Sequence, residues 1–252
     1  MPGTTTTETG PGAARLPDFR PAPNQGGHAR LYELENRAAD PGGLVLAAMR
    51  ARAPWAGRTL LDLGCGSGYH LPGYAAQAAR VIGVEPDPRL LPLAARRDPR
   101  ARVLRGSAEH IPLGDRSVDV VHARFAYFFP PGCDAGLAEV MRVLRPGGTL
   151  VAVGNDLRAG EFAGLVRAAG DALVPAGGDE ADAWWAARGA DIVTVLSSWR
   201  FASRADFEAV LRMEFPLSVA GAWLAARPRA LGLSYGYALA SVTRPAGLLR
   251  AR

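Results

Sequence analysis

The stretch Leu61-Asp62-Leu63-Gly64-Cys65-Gly66-Ser67-Gly68, with Glu85 seventeen residues beyond its last glycine, decides how this chain is read. A short apolar run, RTLLDL at 58–63, stops abruptly in glycines. Helix-compatible residues follow as far as Ala79, and a second apolar run, VIGVEP at 81–86, closes on an acid and a proline. The pattern is strand, glycine turn, helix, strand. A chain that passes from a strand into a helix within a few residues needs backbone angles that a Cβ forbids, and a missing side chain lets a flat nucleoside press against the main chain. The helix after the turn offers free N–H groups and a partial positive charge, which suit an anionic group of a ligand. An acid after the second strand can accept both hydroxyls of a ribose.

Spacing separates two ligand classes that share this layout. Dinucleotide binders favour G-x-G-x-x-G, whose third glycine would fall at position 69; that residue is Tyr69, and the third glycine is Gly68. Asp62, two places before Gly64, suits a ligand that carries an amino group and no pyrophosphate. A nicotinamide-dependent dehydrogenase is set aside on this ground.

Outward from this segment the alternation continues, with a helix at 88–97, strands at 101–105 and 118–123, a helix at 134–145 and a strand at 148–153. Alternating strands and helices predict right-handed βαβ units and a mostly parallel sheet covered on both faces. The helix at 134–145 is the clearest element, because Leu137, Val140, Met141 and Leu144 repeat at helical spacing, Asp134 can cap its start and Pro146-Gly147-Gly148 stops it. Upstream, Leu31, Leu34 and Ala38 share one helical face. After the break at Asp40-Pro41-Gly42 a second helix runs to Pro54, so 28–57 reads as a two-helix cap. Residues 1–27, rich in Thr, Gly and Pro, read as a flexible arm. Beyond 153 the reading gives helices at 158–169, 178–188, 204–214 and 217–226, a strand at 191–197 and a β-rich tail at 231–242. Ser203 with Asp206 forms a capping box at the third of those helices. We read 28–252 as one domain, with a cap at 28–57, a ligand-binding core at 58–153 and a substrate-side part at 154–252.

Composition narrows the chemistry. All 29 basic residues among the 252 are arginine. A chain without lysine forms no Schiff base with a carbonyl compound and supplies no P-loop lysine. The net charge of +5 comes from arginines scattered in runs no longer than Arg96-Arg97, which reads as a solvated surface and speaks against a nucleic-acid partner. No apolar run is long enough to span a membrane, and a cytoplasmic location is expected. Cys65 and Cys133 match no metal spacing and no disulfide framework.

Four ordered motifs, LLDLGCGSG, VIGVEPD, GSAEHIPLGDRSVDVV and EVMRVLRPGGTLVAV, resemble the class I S-adenosylmethionine-dependent methyltransferases, in particular the type 11 group. The resemblance covers 58–153. It implies a Rossmann-like, doubly wound α/β sheet of seven strands, mostly parallel with an antiparallel last strand supplied by 231–242, together with an N-terminal helical cap. It also implies that 155–230 form a helical insertion and final helices lining a substrate pocket; Trp184, Trp185 and Trp199 within it read first as core residues, with one of them lining the pocket as the alternative. S-adenosylmethionine is the implied cofactor. Asp62 and the Gly64 backbone would hold its methionine part within the turn that includes Gly66 and Gly68. Glu85 would hold the ribose, Pro86 and Asp87 one adenine edge, and Ser107 and Ala108 the other, while His122 would lie beneath the sulfonium. Many family members carry Asp where this chain has Ser107; Ala108 backbone or Glu109 can substitute.

Methyl transfer is an in-line displacement, for which holding the nucleophile in place can supply roughly 7 to 11 kcal/mol and a general base about 3 to 5 kcal/mol. Positioning therefore dominates. His122, just after the fourth strand, is the first candidate base and His28 the second; a packed role is the alternative for His122, and a solvated or structural one for His28, His70 and His110. Tyr127, Phe128 and Phe129 can form an aromatic wall or belong to the core. Tyr32 can close over the cofactor, Arg37 or Arg124 can meet a carboxylate, and Asn155-Asp156 points to the substrate side. Cys65 reads as a small turn filler. The expected activity is methylation of O, N or C of a small molecule. The alternatives are an RNA-modifying methyltransferase and a non-catalytic S-adenosylmethionine-binding module.

Overall fold

The computed structural model describes residues 16–19, 28–170 and 177–246. In chain order these form α1 (Ala29–Ala38), α2 (Leu44–Arg52), β1 (Thr59–Leu63), α3 (Leu71–Ala75), β2 (Arg80–Glu85), α4 (Leu91–Arg97), β3 (Ala101–Arg105), β4 (Val118–Arg124), α5 (Asp134–Val143) and β5 (Leu144–Asn155). The remainder form α6 (Gly160–Ala169), α7 (Asp179–Ala186), β6 (Asp191–Arg200), α8 (Arg204–Glu214), α9 (Leu217–Ala226) and β7 (Gly232–Thr243). The sheet runs β3-β2-β1-β4-β5-β7-β6. β1 to β5 pair in parallel, and β7 lies antiparallel between β5 and β6, as the resemblance implies.

The period-2 alternation of the strands divides the core in two. Leu60, Val120, Val151, Val153, Tyr235, Tyr237 and Leu239 face α1 to α4, α6, α8 and α9, whereas Leu61, Leu63, Val121, Ala123, Leu150 and Ala152 face α5 and α7. The central strands are buried on both sides, which is why they read as continuous apolar runs. Chain order reverses direction across the sheet between β1 and β4, the place where open α/β sheets bind ligands at the carboxyl ends of their strands.

Local chemistry explains most boundaries. Asp40 starts α2 with its carboxylate, which accepts from Leu44, Val45 and Leu46 N–H at 3.0, 2.9 and 3.3 Å and from Ser197 Oγ at 2.7 Å, tying the cap to β6. Ser203 caps α8 by accepting from Asp206 N–H at 3.1 Å, and its hydroxyl donates to the Asp206 carboxylate at 2.8 Å.

Several expectations change. The helix after the glycine turn is only Leu71–Ala75, with proline in its first turn, so its dipole contribution is small. α5 ends at Val143, and β5 begins at once at Leu144 through a register shift beside Val118 and Val120. Asp134 accepts from Arg188 at 2.9 Å instead of capping α5. Residues 16–19 fall within the segment read as an arm, yet the backbone N–H of Glu109 donates to Asp18 at 3.4 Å; the rest of 1–27 lies outside the described residues apart from this segment.

Candidate functional site

The glycine turn does what its composition demands. Gly64, Gly66 and Gly68 have φ of 73°, 58° and 79°, in the region that side chains disfavour. A Cβ on Gly64 would sit 2.4 Å from Ala126 Cβ, so the turn after β1 and the loop after β4 approach to a distance that a side chain would prevent. Gly66 carries the phenol of Tyr32 against it, and a Cβ there would lie 2.8 Å from Tyr32 Oη. A Cβ on Gly68 would meet Ala94 of α4 at 2.8 Å, a packing role away from any ligand. Cys65 fills space over Gly83 of β2, where a Cβ would lie 2.8 Å from its sulfur; burial pushes its thiol up, so it is a turn filler.

Glu85 ends β2 and is 3 % exposed. Its two oxygens accept from Gly66 N–H and Asp87 N–H, each at 2.8 Å, which locks the carboxylate between the two turns. Burial, the largest influence, raises its pKa to about 7 against the pull of these two hydrogen bonds. Asp62 is 3 % exposed, and its pKa is also raised to about 7, by burial first, with Arg124 pulling down and Glu85 pushing up.

A cavity of about 550 Å³ opens at the carboxyl ends of β1 to β4. Of the residues singled out from the sequence, Gly64, Glu85, Pro86, Ser107, Ala108, Glu109, Tyr127 and Phe129 line it. Its walls between Leu63, Val84, Ala108 and Phe125 are apolar, and Ser107 Oγ is buried with no hydrogen-bond partner. A slot with apolar faces, an unused hydroxyl at one edge and a buried carboxylate at the other has the make-up that a flat heterocycle joined to a diol requires. The loop after β4 is held in strained form, since Phe125 and Tyr127 have φ of 49° and 59°. Tyr127 Oη donates to Glu109 at 2.8 Å and accepts from Gly136 N–H at 3.1 Å, and its ring fills the space that a Cβ on Gly136 would occupy.

Other sequence-based assignments need correction. His122 is fully buried within β4, opposite Asp62, with its ring 5.2 Å from Trp55 and 5.1 Å from Tyr74, and it does not line the cavity. β4 extends through Arg124, so His122 is an interior strand position that faces the α1 to α3 layer. Burial first and Arg124 second hold its pKa down at about 3, so the ring is neutral at neutral pH. His28 is exposed at the start of α1, and Arg37 is exposed as well. Asp87 turns its carboxylate onto Arg89, with contacts of 2.9, 3.1 and 2.6 Å, and only its N–H serves the site, through Glu85. Trp184, Trp185 and Trp199 take the core role read first for them, and Trp185 packs on Phe128 at 5.4 Å. Asn155 accepts from Tyr235 Oη at 2.5 Å and Asp156 from Arg158 at 2.8 Å.

The sequence reading also missed contributors. Pro17, Asp18, Phe19, Leu63, Val84, Gly106 and Phe125 also line the cavity. The network of Glu33 with Ser67 and Arg97, the last at 2.5 Å, binds α1 over the glycine turn. Helical spacing places Tyr32 and Glu33 on α1 without saying what they cover. Among the described residues no group of acids, histidines and cysteines is arranged to hold a metal, and no helix is long and apolar enough to cross a membrane.

Residues 61–152 match the family model described as a methyltransferase domain. Over 101 residues the chain is 43 % identical to an uncharacterized methyltransferase of Mycobacteroides abscessus, covering 38 % of this chain and 39 % of that one. It is 34 % identical over 95 residues to a malonyl-[acyl-carrier protein] O-methyltransferase of Serratia marcescens, covering 38 % and 37 %. The fold is similar to that of an S-adenosylmethionine-dependent methyltransferase from Aquifex aeolicus, with a TM-score of 0.54 at 15 % identity over 88 % of this chain and 98 % of the other. The chain spans about two-fifths of the length of the first of these relatives.

Proposed function

We propose that this chain, whose residues 61–152 are a class I methyltransferase domain of the type 11 group, transfers a methyl group from S-adenosylmethionine to an oxygen, nitrogen or carbon of a small molecule. The observation that carries the reading is Glu85, a buried carboxylate fixed by two backbone N–H groups at the edge of an apolar slot whose far edge bears the unpartnered Ser107 hydroxyl. Glu85 would hold the ribose hydroxyls. Ser107, with the Ala108 backbone, would meet the edge of the adenine, and Pro86, Val84 and Phe125 its faces. Gly64, lacking a Cβ, would lie under the methionine part, and the Asp62 carboxylate and the Tyr32 ring would bound it.

S-adenosylmethionine brings a methyl group on a sulfonium, a leaving group that needs no acid. What the protein must do is place the acceptor in line and keep water out. Tyr127 and Phe129, on the loop that Glu109 and Gly136 brace, form the wall next to the cofactor slot, and Phe19 with Pro17 closes the mouth. Among the described residues no histidine lines the slot.

The arginines speak against RNA as the acceptor. Arg52, Arg89, Arg97, Arg100, Arg142, Arg145, Arg158, Arg188, Arg204 and Arg227 are each paired with an acid of the same chain, which keeps ten of the 29 arginines from forming a continuous basic stripe. Incubating the protein with radiolabelled S-adenosylmethionine and fractionated metabolites tests the proposal. Label transferred to a small-molecule fraction supports it, and label transferred only to RNA overturns the acceptor class.

A further inference from the structure

The slot and the rest of the molecule carry opposite charge. The chain has 29 arginines against 24 acids, and acids elsewhere are tied to arginines, as Asp87 is to Arg89, Asp98 to Arg100, Asp119 to Arg145 and Asp156 to Arg158. Three carboxylates line the slot, those of Asp18, Glu85 and Glu109, and among the described residues no arginine or histidine lines it. None of the three has an arginine or histidine nitrogen within 4.0 Å.

Two of these acids already have work. Glu85 is closed on Gly66 and Asp87 N–H and, in the reading above, takes the ribose. Glu109 accepts from Tyr127 Oη at 2.8 Å. Asp18 differs. Its Oδ2 accepts from Glu109 N–H at 3.4 Å, a long contact, and its Oδ1 is buried with no hydrogen-bond partner. A carboxylate oxygen shut away from water is seldom left without a donor, and the cost of its lost hydration calls for a donor or a cation from a ligand.

The walls that share the slot with Asp18 act in the same direction. Phe19, Tyr127 and Phe129 line it, and Phe129 is 43 % exposed although large and apolar. The faces of aromatic rings carry partial negative charge and attract cations. An anionic acceptor would meet like charge on Asp18 and Glu109, whereas a cationic one would meet both the acids and the rings.

We propose that the acceptor is a small molecule that carries an ammonium group on an apolar or aromatic body, and that Asp18 holds the ammonium. The proposal rests on the cofactor reading above, which assigns Gly64, Glu85, Pro86, Ser107 and Ala108 to S-adenosylmethionine and leaves Asp18, Tyr127 and Phe129 for the acceptor. The ammonium is a recognition handle, gripped by a charge-assisted hydrogen bond. Acidic acceptors are the class that this lining rejects.

Calorimetry on the full chain tests this in the presence of saturating S-adenosylhomocysteine, which lacks the sulfonium charge. The probes are 2-phenylethylammonium, 2-phenylethanol and 3-phenylpropionate, which share a shape and differ in charge. Wild type should bind the ammonium about tenfold or more tightly than the alcohol, and the carboxylate least. Asp18→Asn keeps the shape and removes the charge. It should lose most of the preference for the ammonium while the alcohol and S-adenosylhomocysteine bind within about twofold of wild type, and Asp18→Glu should keep part of the preference. Wild type that binds the carboxylate as tightly as the ammonium, or that binds none of the three at millimolar concentration, overturns the proposal, and this comparison needs no variant to fold. Asp18→Asn with the preference intact also overturns it, as does Asp18→Asn that instead weakens S-adenosylhomocysteine by about tenfold, which would give Asp18 to the cofactor. Wild type that binds no S-adenosylhomocysteine at all fails the cofactor reading itself, a distinguishable result.

Discussion

The ends of β1, β2 and β3 and the loop after β4 surround an open slot, whereas the interior of β4 sits in a packed cluster of aromatic rings around His122. The first set of ends is shaped by the backbone: positive φ at Gly64 and Gly66, and two N–H groups closed on Glu85. The interior of β4 is surrounded by side chains from elsewhere in the chain, Trp55 before β1, Tyr74 in α3 and Tyr237 in β7. A ligand site built from backbone geometry leaves a local trace in the sequence. One built from side chains that meet only after folding does not.

Substitutions can break or sharpen this contrast. Glu85→Ala removes the acceptor of two ribose hydroxyls and leaves Gly66 and Asp87 N–H unpaired, so S-adenosylhomocysteine affinity should fall by on the order of 10²- to 10³-fold in calorimetry. Unchanged affinity would mean that the slot does not hold a nucleoside. Gly64→Ala forces a Cβ to 2.4 Å from Ala126 Cβ at φ 73° and should cost roughly 2 to 4 kcal/mol in urea unfolding. Adding Ala126→Gly should restore the share due to contact and leave the share due to backbone strain. In the packed cluster, His122→Ala should cost about 1 to 3 kcal/mol of stability and leave S-adenosylhomocysteine affinity within about threefold of wild type. Loss of turnover at unchanged stability would return His122 to the chemistry.

Acidity gives a fourth comparison. The folded pKa of Glu85, about 7, lies above its ordinary value of 4.5, so burial favours the protonated form. The stability of the free protein associated with this group is fully present below about pH 4.5 and is lost as pH rises through 7. Cofactor binding has the opposite sign, because ribose hydroxyls donate to the ionised carboxylate. Affinity should therefore rise by roughly tenfold per pH unit for this acid on the way up to pH 7, with proton uptake by buffer visible as a dependence on buffer ionisation enthalpy. Asp62 is raised in the same way and adds to the slope if it meets the methionine amino group. The smallest effect is expected at the mouth, where Phe19→Ala should weaken S-adenosylhomocysteine about fivefold, in proportion to the apolar area it covers.

Much of the site was legible because its signals are short in range. The glycines, Glu85 at the end of β2, and the pair Ser107-Ala108 after β3 follow from strand ends and turns. The error at His122 arose from reading position along the strand without reading face. Asp62 and His122 alternate in step with Leu60 and Val120, a period-2 signal that assigns them to the side of the α-helical cap. Asp87 and Gly68 failed for a different reason: each is spent on a neighbour, Arg89 and Ala94, that sequence spacing does not reveal. Phe19 lies 88 residues from Ser107 in the chain, and composition alone gave no cause to bring the two together.

The sequence by itself determined the alternation of strands and helices, the nucleoside-sized glycine turn and the acid opposite it, because hydrophobic period and backbone freedom are properties of neighbouring residues. Only the tertiary structure decided that His122 is walled in by Trp55 and Tyr74 and that Pro17, Asp18 and Phe19 join the lining of the slot. Those outcomes depend on which distant side chains share one volume, and burial, pairing and the loss of water are fixed only when that volume closes.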